Sequence, residues 1–317
     1  MVYLSGSEIS SGFTYGSSVV TIYTYGCQVW PVEQPWNGSG IGPEAKYYIS
    51  WRPSNLSGSF TMNGSTYHFE DYNGYFSDFD GVIPNECFKS VGFTKIETNA
   101  YSIGSSAFWK CESLATMSLS ECRYIGSYAF RDLPSMTLTL PKCSYIGESA
   151  FFQNTSNGSK ISGCVFSCSY YGDRCFYGRH IVEKPDFTNC TYVGNQAFHG
   201  AIGMIVDYPV YDFPNCSYIG DGGFAYCGMV RVKLSNVTHI GQMAFFYDDN
   251  WDVNPTRQIY IYTSTVCEFY SETFSAVRSE PRIWYTGWDI YVPSSLVTEY
   301  RTQYPDISGR IYSIPNN

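Results

Sequence analysis

The sequence has 317 residues and a formal net charge of -9. This acidic balance argues against a nucleic-acid partner, because phosphate backbones are bound by basic stripes. No segment approaches the roughly 18 to 20 consecutive apolar residues of a membrane helix, so we expect no membrane insertion. Charged residues make up 15% and aromatic residues 18%, with 30 Tyr and 29 Gly, which favours many short strands and turns over surface helices.

The first 32 residues contain three units at ten-residue spacing, which begin Gly6-Ser7-Glu8-Ile9, Gly16-Ser17-Ser18-Val19 and Gly26-Cys27-Gln28-Val29. Aliphatic or aromatic residues precede each unit, so we predict a small β module of short strands and turns over residues 1–32. The module resembles the small N-terminal modules of virion and tail proteins of gut bacteriophages, which implies contacts with other virion proteins. The start of the chain has neither the basic region nor the apolar run of a secretory signal.

Residues 33–80 are predicted to be a linker and an N-terminal cap. Pro and Gly punctuate the linker over residues 33–42. We predict that strands within residues 43–80 cover the first coil of the array that follows.

Residues 81–275 consist of one repeated unit. The stretch SECRYIGSYAF at 120–130 is followed by PKCSYIGESAF at 141–151, and alignment on the final Phe gives nine units with steps of 20 to 29 residues. These nine residues are Phe88, Phe108, Phe130, Phe151, Phe176, Phe198, Phe224, Phe245 and Phe274. A period in the low twenties is typical of stacked coils, because each unit is too small to bury its own apolar face.

Positions within the unit are numbered from this Phe as zero. Position minus five is apolar and position minus four is Gly in almost every unit, which we interpret as a corner where backbone freedom is needed. Positions minus thirteen and minus eleven are apolar, as in Met117 and Leu119, which predicts a strand with these side chains inward. One such strand per coil gives a parallel sheet.

The outward positions minus fourteen and minus twelve are predicted to form a continuous strand face. It changes along the chain from small hydroxyls to mixed charge and then to aromatic residues, which a spacer would not need. Tyr and Arg are enriched where binding energy concentrates. The candidate binding residues on this face are Lys184, Asp186, Asp212, Arg231, Lys233, Tyr260 and Tyr262.

A second candidate surface is the column at position minus six, where stacked coils would place aromatic rings in a ladder. This column contains Tyr124, Tyr145, Tyr170, Tyr192, Tyr218 and then His239. One hypothesis is structural, since neighbouring rings stabilise one another. The other is an aromatic strip that binds sugar rings or a partner protein.

Five of the twelve cysteines occupy position minus eight, where the last two units have Val237 and Val266 instead. They are Cys122, Cys143, Cys168, Cys190 and Cys216. Exchange of Cys with Val predicts buried, unpaired thiols that act as small apolar side chains and fold in a reducing compartment. The competing hypothesis is a zinc site in CVFSCSYYGDRCFYGRH at 164–180, which holds three Cys and one His. We expect neither a metal nor a cofactor.

The sequence offers no visible catalytic set. It has only four His, and none has a Ser, Asp or Glu partner at a recognisable spacing. We therefore predict no catalytic residues, although an enzyme site on the loops 152–162 or 246–257 stays open as an alternative.

The unit, idealised as L-x-L-P-x-C-x-Y-I-G-x-x-A-F, resembles the BspA-like class of leucine-rich repeat. The stretch DIYVPSSLVTEYRTQYPDISGRI at 289–311 is similar to the C-terminal unit that closes such arrays, so residues 276–317 are expected to form a C-terminal cap. The resemblance implies a mainly β, leucine-rich-repeat solenoid with a parallel sheet, short irregular or 3-10 turns and a capping strand with one short helix. It also implies adhesive or binding roles at cell surfaces and no catalytic residues.

These observations favour a non-enzymatic recognition protein. Our main hypothesis is a bacteriophage virion or tail component, and the alternative is a bacterial cell-surface or secreted adhesin that binds host or extracellular-matrix ligands. The expected partner is a protein or glycan on a cell surface, and an oligomer is compatible with the sequence. A purely structural spacer is a further hypothesis.

Overall fold

The computed structural model describes residues 2–4, 7–9, 22–24, 27–31, 47–49, 58–62, 64–68, 81–83, 85–153, 159–163, 167–201, 209–248, 256–270, 272–279 and 282–315. The chain divides into two compact units, Met1–Cys143 and Ser144–Asn317. Both are mainly β, with short parallel strands repeated at the predicted period.

The first unit contains β1 (Val2–Leu4), β2 (Ser7–Ile9), β3 (Ile22–Thr24), β4 (Cys27–Pro31), β5 (Tyr47–Ile49), β6 (Gly58–Met62), β7 (Ser65–His68), β8 (Val82–Ile83), β9 (Lys95–Thr98), β10 (Ser102–Ile103), β11 (Thr116–Leu119), β12 (Tyr124–Ile125) and β13 (Met136–Thr139). Strands β9, β11 and β13 pair in parallel, and the two-residue strands β8, β10 and β12 form a second parallel ladder.

Antiparallel strands precede the coils of the first unit. Strands β1 and β2 form a hairpin, and β4 pairs with β3 on one side and with β5 on the other. The middle ten-residue unit of the predicted module, at Gly16, lies outside the described residues. Strand β6 pairs with β7 and also lies antiparallel to β9, so it covers the edge of the first long strand.

The second unit contains β14 (Tyr145–Ile146), β15 (Lys160–Ser162), β16 (Tyr170–Tyr171), β17 (His180–Ile181), β18 (Tyr192–Val193), β19 (Val210–Phe213), β20 (Tyr218–Ile219), β21 (Arg231–Leu234), β22 (His239–Ile240), β23 (Tyr247–Asp248), β24 (Arg257–Ile261), β25 (Glu268–Phe269), β26 (Ser275–Ser279), β27 (Arg282–Thr286), β28 (Trp288–Val292), α1 (Val297–Gln303), β29 (Ile311–Ser313) and two 3-10 helices, Ser294–Leu296 and Pro305–Arg310. The short strands β14, β16, β18, β20, β22 and β25 form one parallel ladder, and β19, β21, β24, β28 and β29 form a five-stranded parallel sheet.

The Phe at position zero forms the core of every coil, as the sequence predicts. In the second unit Phe151, Phe176, Phe198 and Phe224 stack with ring centroids 5.1, 5.3 and 5.2 Å apart. The Phe at position zero is at most 2% exposed in all nine repeats. Each coil therefore stabilises its neighbours through this column, and the predicted leucine-rich-repeat solenoid is confirmed.

The explanation for the Gly at position minus four needs correction. Glycines of this column do not adopt a positive φ; left-handed residues instead lie two positions later, as at Arg174 and Gln196. A Cβ on Gly220 would lie 2.7 Å from the backbone nitrogen of Asn195 and 2.8 Å from the carbonyl carbon of Gly194. The column is Gly because the backbones of consecutive coils approach too closely for a side chain.

The prediction of a strand at Lys184 and Asp186 is wrong. Residues 184–187 have no strand, and β17 ends before them at Ile181. Pro185 lies in this segment and has no N–H for a ladder hydrogen bond. The long strands of the second unit therefore lie in two sheets, with β15 and β17 in one and β19, β21, β24, β28 and β29 in the other. The predicted continuous strand face is interrupted between them.

The C-terminal segment closes the second unit with the predicted strand, Pro turn and short helix, followed by β29. Helix α1 is fixed to the last coil by two tyrosines. The buried Tyr300 hydroxyl accepts a hydrogen bond from the Cys267 backbone N–H at 2.8 Å. The Tyr304 hydroxyl donates to the Cys267 carbonyl at 3.0 Å.

Candidate functional site

The outward side chains of the five-stranded sheet form the surface that we call the C-terminal strand face. It consists of Val210, Asp212, Arg231, Lys233, Gln258, Tyr260, Tyr262, Asp289, Tyr291 and Tyr312. Because parallel strands keep their register, Asp212, Lys233, Tyr260, Tyr291 and Tyr312 form one row across β19, β21, β24, β28 and β29. The inward residues between them, such as Val232 and Ile259, are buried.

Tyrosine rings dominate the C-terminal end of this row. Tyr260 and Tyr291 stack with centroids 4.6 Å apart, and Tyr312 follows at 5.5 Å from Tyr291 in a tilted arrangement. Tyr262 lies 6.4 Å from Tyr260 and is 42% exposed. Burial and then the neighbouring Asp289 carboxylate raise the pKa of Tyr291, so its hydroxyl stays protonated and can donate a hydrogen bond.

Sequence reasoning missed Tyr291 and Tyr312 because both belong to the segment assigned to the cap. The alternating burial of WDIYV in β28 follows the same inward and outward pattern as the repeats, so that pattern could have revealed Tyr291. The predicted residues Asp212, Arg231, Lys233, Tyr260 and Tyr262 are brought together on one sheet. Lys184 and Asp186 are not part of it.

Lys184 and Asp186 instead make local contacts near β19. The Lys184 ammonium donates a hydrogen bond to the Val210 carbonyl at 2.8 Å and lies 5.3 Å from the ring centre of Tyr211. Asp186 accepts hydrogen bonds from the Thr188 hydroxyl and backbone N–H, and these bonds lower the pKa of its carboxyl group. Both charges thus stabilise the chain where the long sheet is interrupted.

The tyrosine column at position minus six forms the predicted ladder. Centroid distances between consecutive rings from Tyr145 through Tyr170 and Tyr192 to Tyr218 are 4.6, 4.7 and 5.0 Å, with interplanar angles of 6° or less. His239 continues the stack at 4.9 Å from Tyr218. In the first unit the column holds Tyr124 on β12, and that residue is 43% exposed.

Stacking determines what the ladder can offer a ligand. Each inner ring has a neighbour on both faces, so only ring edges and hydroxyls face solvent. Burial, followed by the neighbouring Tyr170, raises the pKa of Tyr192 to about 12. Burial also raises the pKa of Tyr170 and Tyr218. This geometry favours the structural hypothesis, because a sugar ring packs against an open aromatic face.

A second ladder, which sequence reasoning missed, lies at position minus three. Asp173 Oδ1 accepts the Asn195 backbone N–H at 2.8 Å, Asn195 Oδ1 accepts that of Asp221 at 2.8 Å, and Asp221 Oδ1 accepts that of Gln242 at 2.7 Å. The signal in the sequence is a short amide or acid directly after the Gly of position minus four. These side chains pair backbone groups that close coil stacking would otherwise leave without partners.

The repeat assignment is decided by comparison with protein families. Residues 81–205 and 209–277 match the BspA type leucine rich repeat region in six copies, which covers more than half of the chain. The chain belongs to this family. The matched residues include the Phe at position zero of all nine repeats, so the BspA-type repeats correspond to the coils described above.

The BspA-type chain was also compared with curated proteins and with solved structures. No curated protein matches it. The crystal structure of the pneumococcal vaccine antigen PcpA is similar at 11% identity and a TM-score of 0.29, over 94% of this chain and 99% of that one. None of the helices in the described parts of the chain has the length and apolar character needed to cross a membrane.

The thiols of these BspA-type repeats are core residues. The ten cysteines whose side chains the structure describes are buried, and no disulfide joins them. Burial raises the pKa of the Cys111 thiol to about 12. A hydrogen bond with the Cys216 thiol, and then burial, raise the pKa of the Cys190 thiol. Such thiols remain protonated near neutral pH and react slowly.

One detail of the cysteine predictions changes. In the last coil Val266 is only half-buried and Cys267 occupies the core instead, so the column shifts by one residue. Of the ligands in the competing zinc hypothesis, Cys164 lies outside the described residues, whereas Cys168 and Cys175 are buried in the core. Within the described residues no three His, Cys, Asp or Glu side chains are arranged to hold a metal ion.

Proposed function

We propose that this chain is a non-enzymatic recognition protein of the adhesin type, located at a cell surface or outside the cell. Its partner would be a protein or glycan on another surface, bound through the C-terminal strand face. The BspA-type repeats support this proposal, since the adhesive roles expected for such repeats need an extended surface and no catalytic set.

The observation that carries the proposal is the composition of this face. Three tyrosines lie in one row beside Arg231 and Lys233, on a rigid sheet of parallel strands. Tyr and Arg are enriched among the few residues that contribute most of the binding energy in protein interfaces. The strand face of the first unit has no tyrosine among the described residues of β9, β11 and β13. It carries the ion pair of Lys95 and Glu97 and the small hydroxyls of Thr116, Ser118, Thr137 and Thr139.

The virion hypothesis is the second candidate, and its support is the ten-residue spacing of the N-terminal module. In a virion component the same strand face would attach to the host cell, and the hairpin of β1 and β2 would contact other virion proteins. The identity of the neighbouring genes distinguishes the adhesin hypothesis from the virion hypothesis. Capsid or tail genes would favour the virion, and genes for exported proteins would favour the adhesin.

The test is attachment of the purified, fluorescently labelled chain to a panel of animal and bacterial cells and to immobilised extracellular-matrix proteins. Substitution of Arg231, Tyr260 and Tyr262 by Ala should abolish attachment and leave the melting temperature nearly unchanged. The matched control is Thr137→Ala with Thr139→Ala, which changes exposed strand-face residues of the first unit. Unchanged attachment by a well-folded triple variant would move the site away from this face.

A further inference from the structure

Arg231 and Lys233 differ from the other Lys and Arg side chains that the structure describes. They lie two residues apart on β21, so both side chains point outward from the same sheet face. The other described lysines and arginines contact groups within the chain, as in the ion pairs Lys95 with Glu97 at 2.7 Å, Lys142 with Glu121 at 2.7 Å and Arg310 with Asp289 at 2.8 Å. Among the described side chains, Arg231 and Lys233 are the two cations for which the structure shows no partner.

The nearest acid on the face does not neutralise this pair. Asp212 lies opposite Lys233 in the strand register but forms no ion pair with it among the described residues. Among the described residues of this face, the acid on the C-terminal side of Lys233 is Asp289, and Arg310 already binds it. A chain with a net charge of -9 thus has, on the C-terminal strand face, two adjacent cations that have no partner among the described residues. Such a pair is suited to carboxylates, which the planar Arg guanidinium binds through two parallel hydrogen bonds.

The neighbouring tyrosines indicate what else the partner presents. Tyr260 and Tyr291 are stacked with only 12° between their planes, and Tyr312 continues the row. The faces between Tyr260 and Tyr291 are therefore covered, and their edges and hydroxyls are what a ligand meets. Edges and hydroxyls pack well against the mixed apolar and polar groups of a protein, whereas a sugar ring needs an open aromatic face.

We propose that the partner of the C-terminal strand face is an acidic protein segment. Its carboxylates bind Arg231 and Lys233, and its adjoining side chains pack along the edges of Tyr260, Tyr291 and Tyr312. This inference rests on the proposed function, and it names the partner class of that same surface.

Selection from a random peptide library displayed on yeast tests the partner class. The baits are the full wild-type chain and the same chain carrying Arg231→Glu and Lys233→Glu. The wild type should enrich peptides rich in Asp and Glu beside apolar residues, and the reversed variant should enrich peptides rich in Lys and Arg. The control, Lys142→Glu with Arg174→Glu, makes the same change in net charge at other exposed positions and should select the acidic peptides of the wild type.

The affinities of the selected peptides for the wild type and for an Ala variant then test the result of the selection. Replacement of Arg231 and Lys233 by Ala should lower the affinity for the selected acidic peptides by at least about tenfold, because one charged hydrogen bond contributes about a tenfold change in affinity. Equal enrichment by both baits would overturn the proposal. So would a glycan array on which the wild type binds a neutral oligosaccharide, with binding lost in Tyr260→Ala and kept after charge reversal.

Cell attachment separates this inference from the function on which it rests. If attachment is lost in the triple Ala variant but kept in the charge-reversed variant, the surface is correct and the acidic partner is refuted. If a well-folded triple variant still attaches, both are refuted.

Discussion

Tyr260 and Tyr291 stack at 4.6 Å between ring centroids, although one belongs to the last repeat and the other to the C-terminal cap. Their strands β24 and β28 pair in parallel with these two residues opposite each other. The cap therefore does more than cover the end of the core, since it extends the exposed tyrosine row by two further strands.

The first prediction is that Tyr291→Ala weakens attachment about as much as Tyr260→Ala, because both rings lie in the same row. The two substitutions should also be coupled, since removal of either ring exposes a face of the other. We expect a coupling energy of about 0.5 to 1.5 kcal/mol in a double-mutant binding cycle. Full attachment by Tyr291→Ala would confine the binding surface to the repeats.

The second prediction concerns the glycine column. Gly220→Ala places a Cβ against the backbone of Asn195 and Gly194, so the coils must move apart, and we expect a loss of about 1 to 3 kcal/mol in the free energy of unfolding. Denaturant titration measures this loss. The control is Gly309→Ala, where a Cβ meets no atom within 4 Å, and it should change the stability by less than about 0.5 kcal/mol.

The third prediction concerns the phenylalanine column. Phe198 is fully buried between Phe176 and Phe224, so Phe198→Ala should leave a cavity between coils and cost about 3 to 5 kcal/mol in the free energy of unfolding. Tyr226→Ala removes an aromatic ring that is 47% exposed and serves as the control. Similar losses for the two variants would mean that the Phe column is not the main source of coil stability.

The burial of the repeat columns could be predicted because equivalent positions have the same environment in each of the nine repeats. The burial of Phe198, for example, follows from the Phe found at the equivalent position of the other eight repeats. The tyrosine ladder followed in the same way, because a fixed position in stacked coils fixes a distance near the strand spacing.

The features that the sequence did not predict depend on single residues or on distances between coils. One proline, Pro185, stands where the alignment on Phe198 placed a strand, and the lost strand removes Lys184 and Asp186 from the face. Position 220 is Gly because a Cβ there would lie less than 3 Å from the preceding coil, and no local backbone preference reveals this. Tyr312 was missed because the repeat pattern ends before it.

The fourth prediction concerns the core thiols. Cys168, Cys190 and Cys216 are fully buried, so a thiol reagent should label them in denaturant and hardly at all in the native protein at neutral pH. Burial raises the pKa of Cys267 to about 12, so this thiol should also be protected in the native state. Rapid native labelling of these thiols would show that the coils open on the timescale of the reaction.

The last prediction concerns the stability of the tyrosine ladder at high pH. Burial raises the pKa of Tyr192 to about 12 in the folded chain, whereas an unfolded tyrosine titrates near 10. Between these values the folded state holds more protons than the unfolded state, so stability is full below about pH 10 and falls as the pH rises towards 12. Tyr192→Phe keeps the stacked ring but removes this titration, and it should make the decline with pH shallower. Denaturant titrations at pH 8 and over the range from about 10 to 12 measure the difference, with Tyr312→Phe as the control on an exposed ring. An equally steep decline in wild type and Tyr192→Phe would place the base-sensitive groups outside the ladder.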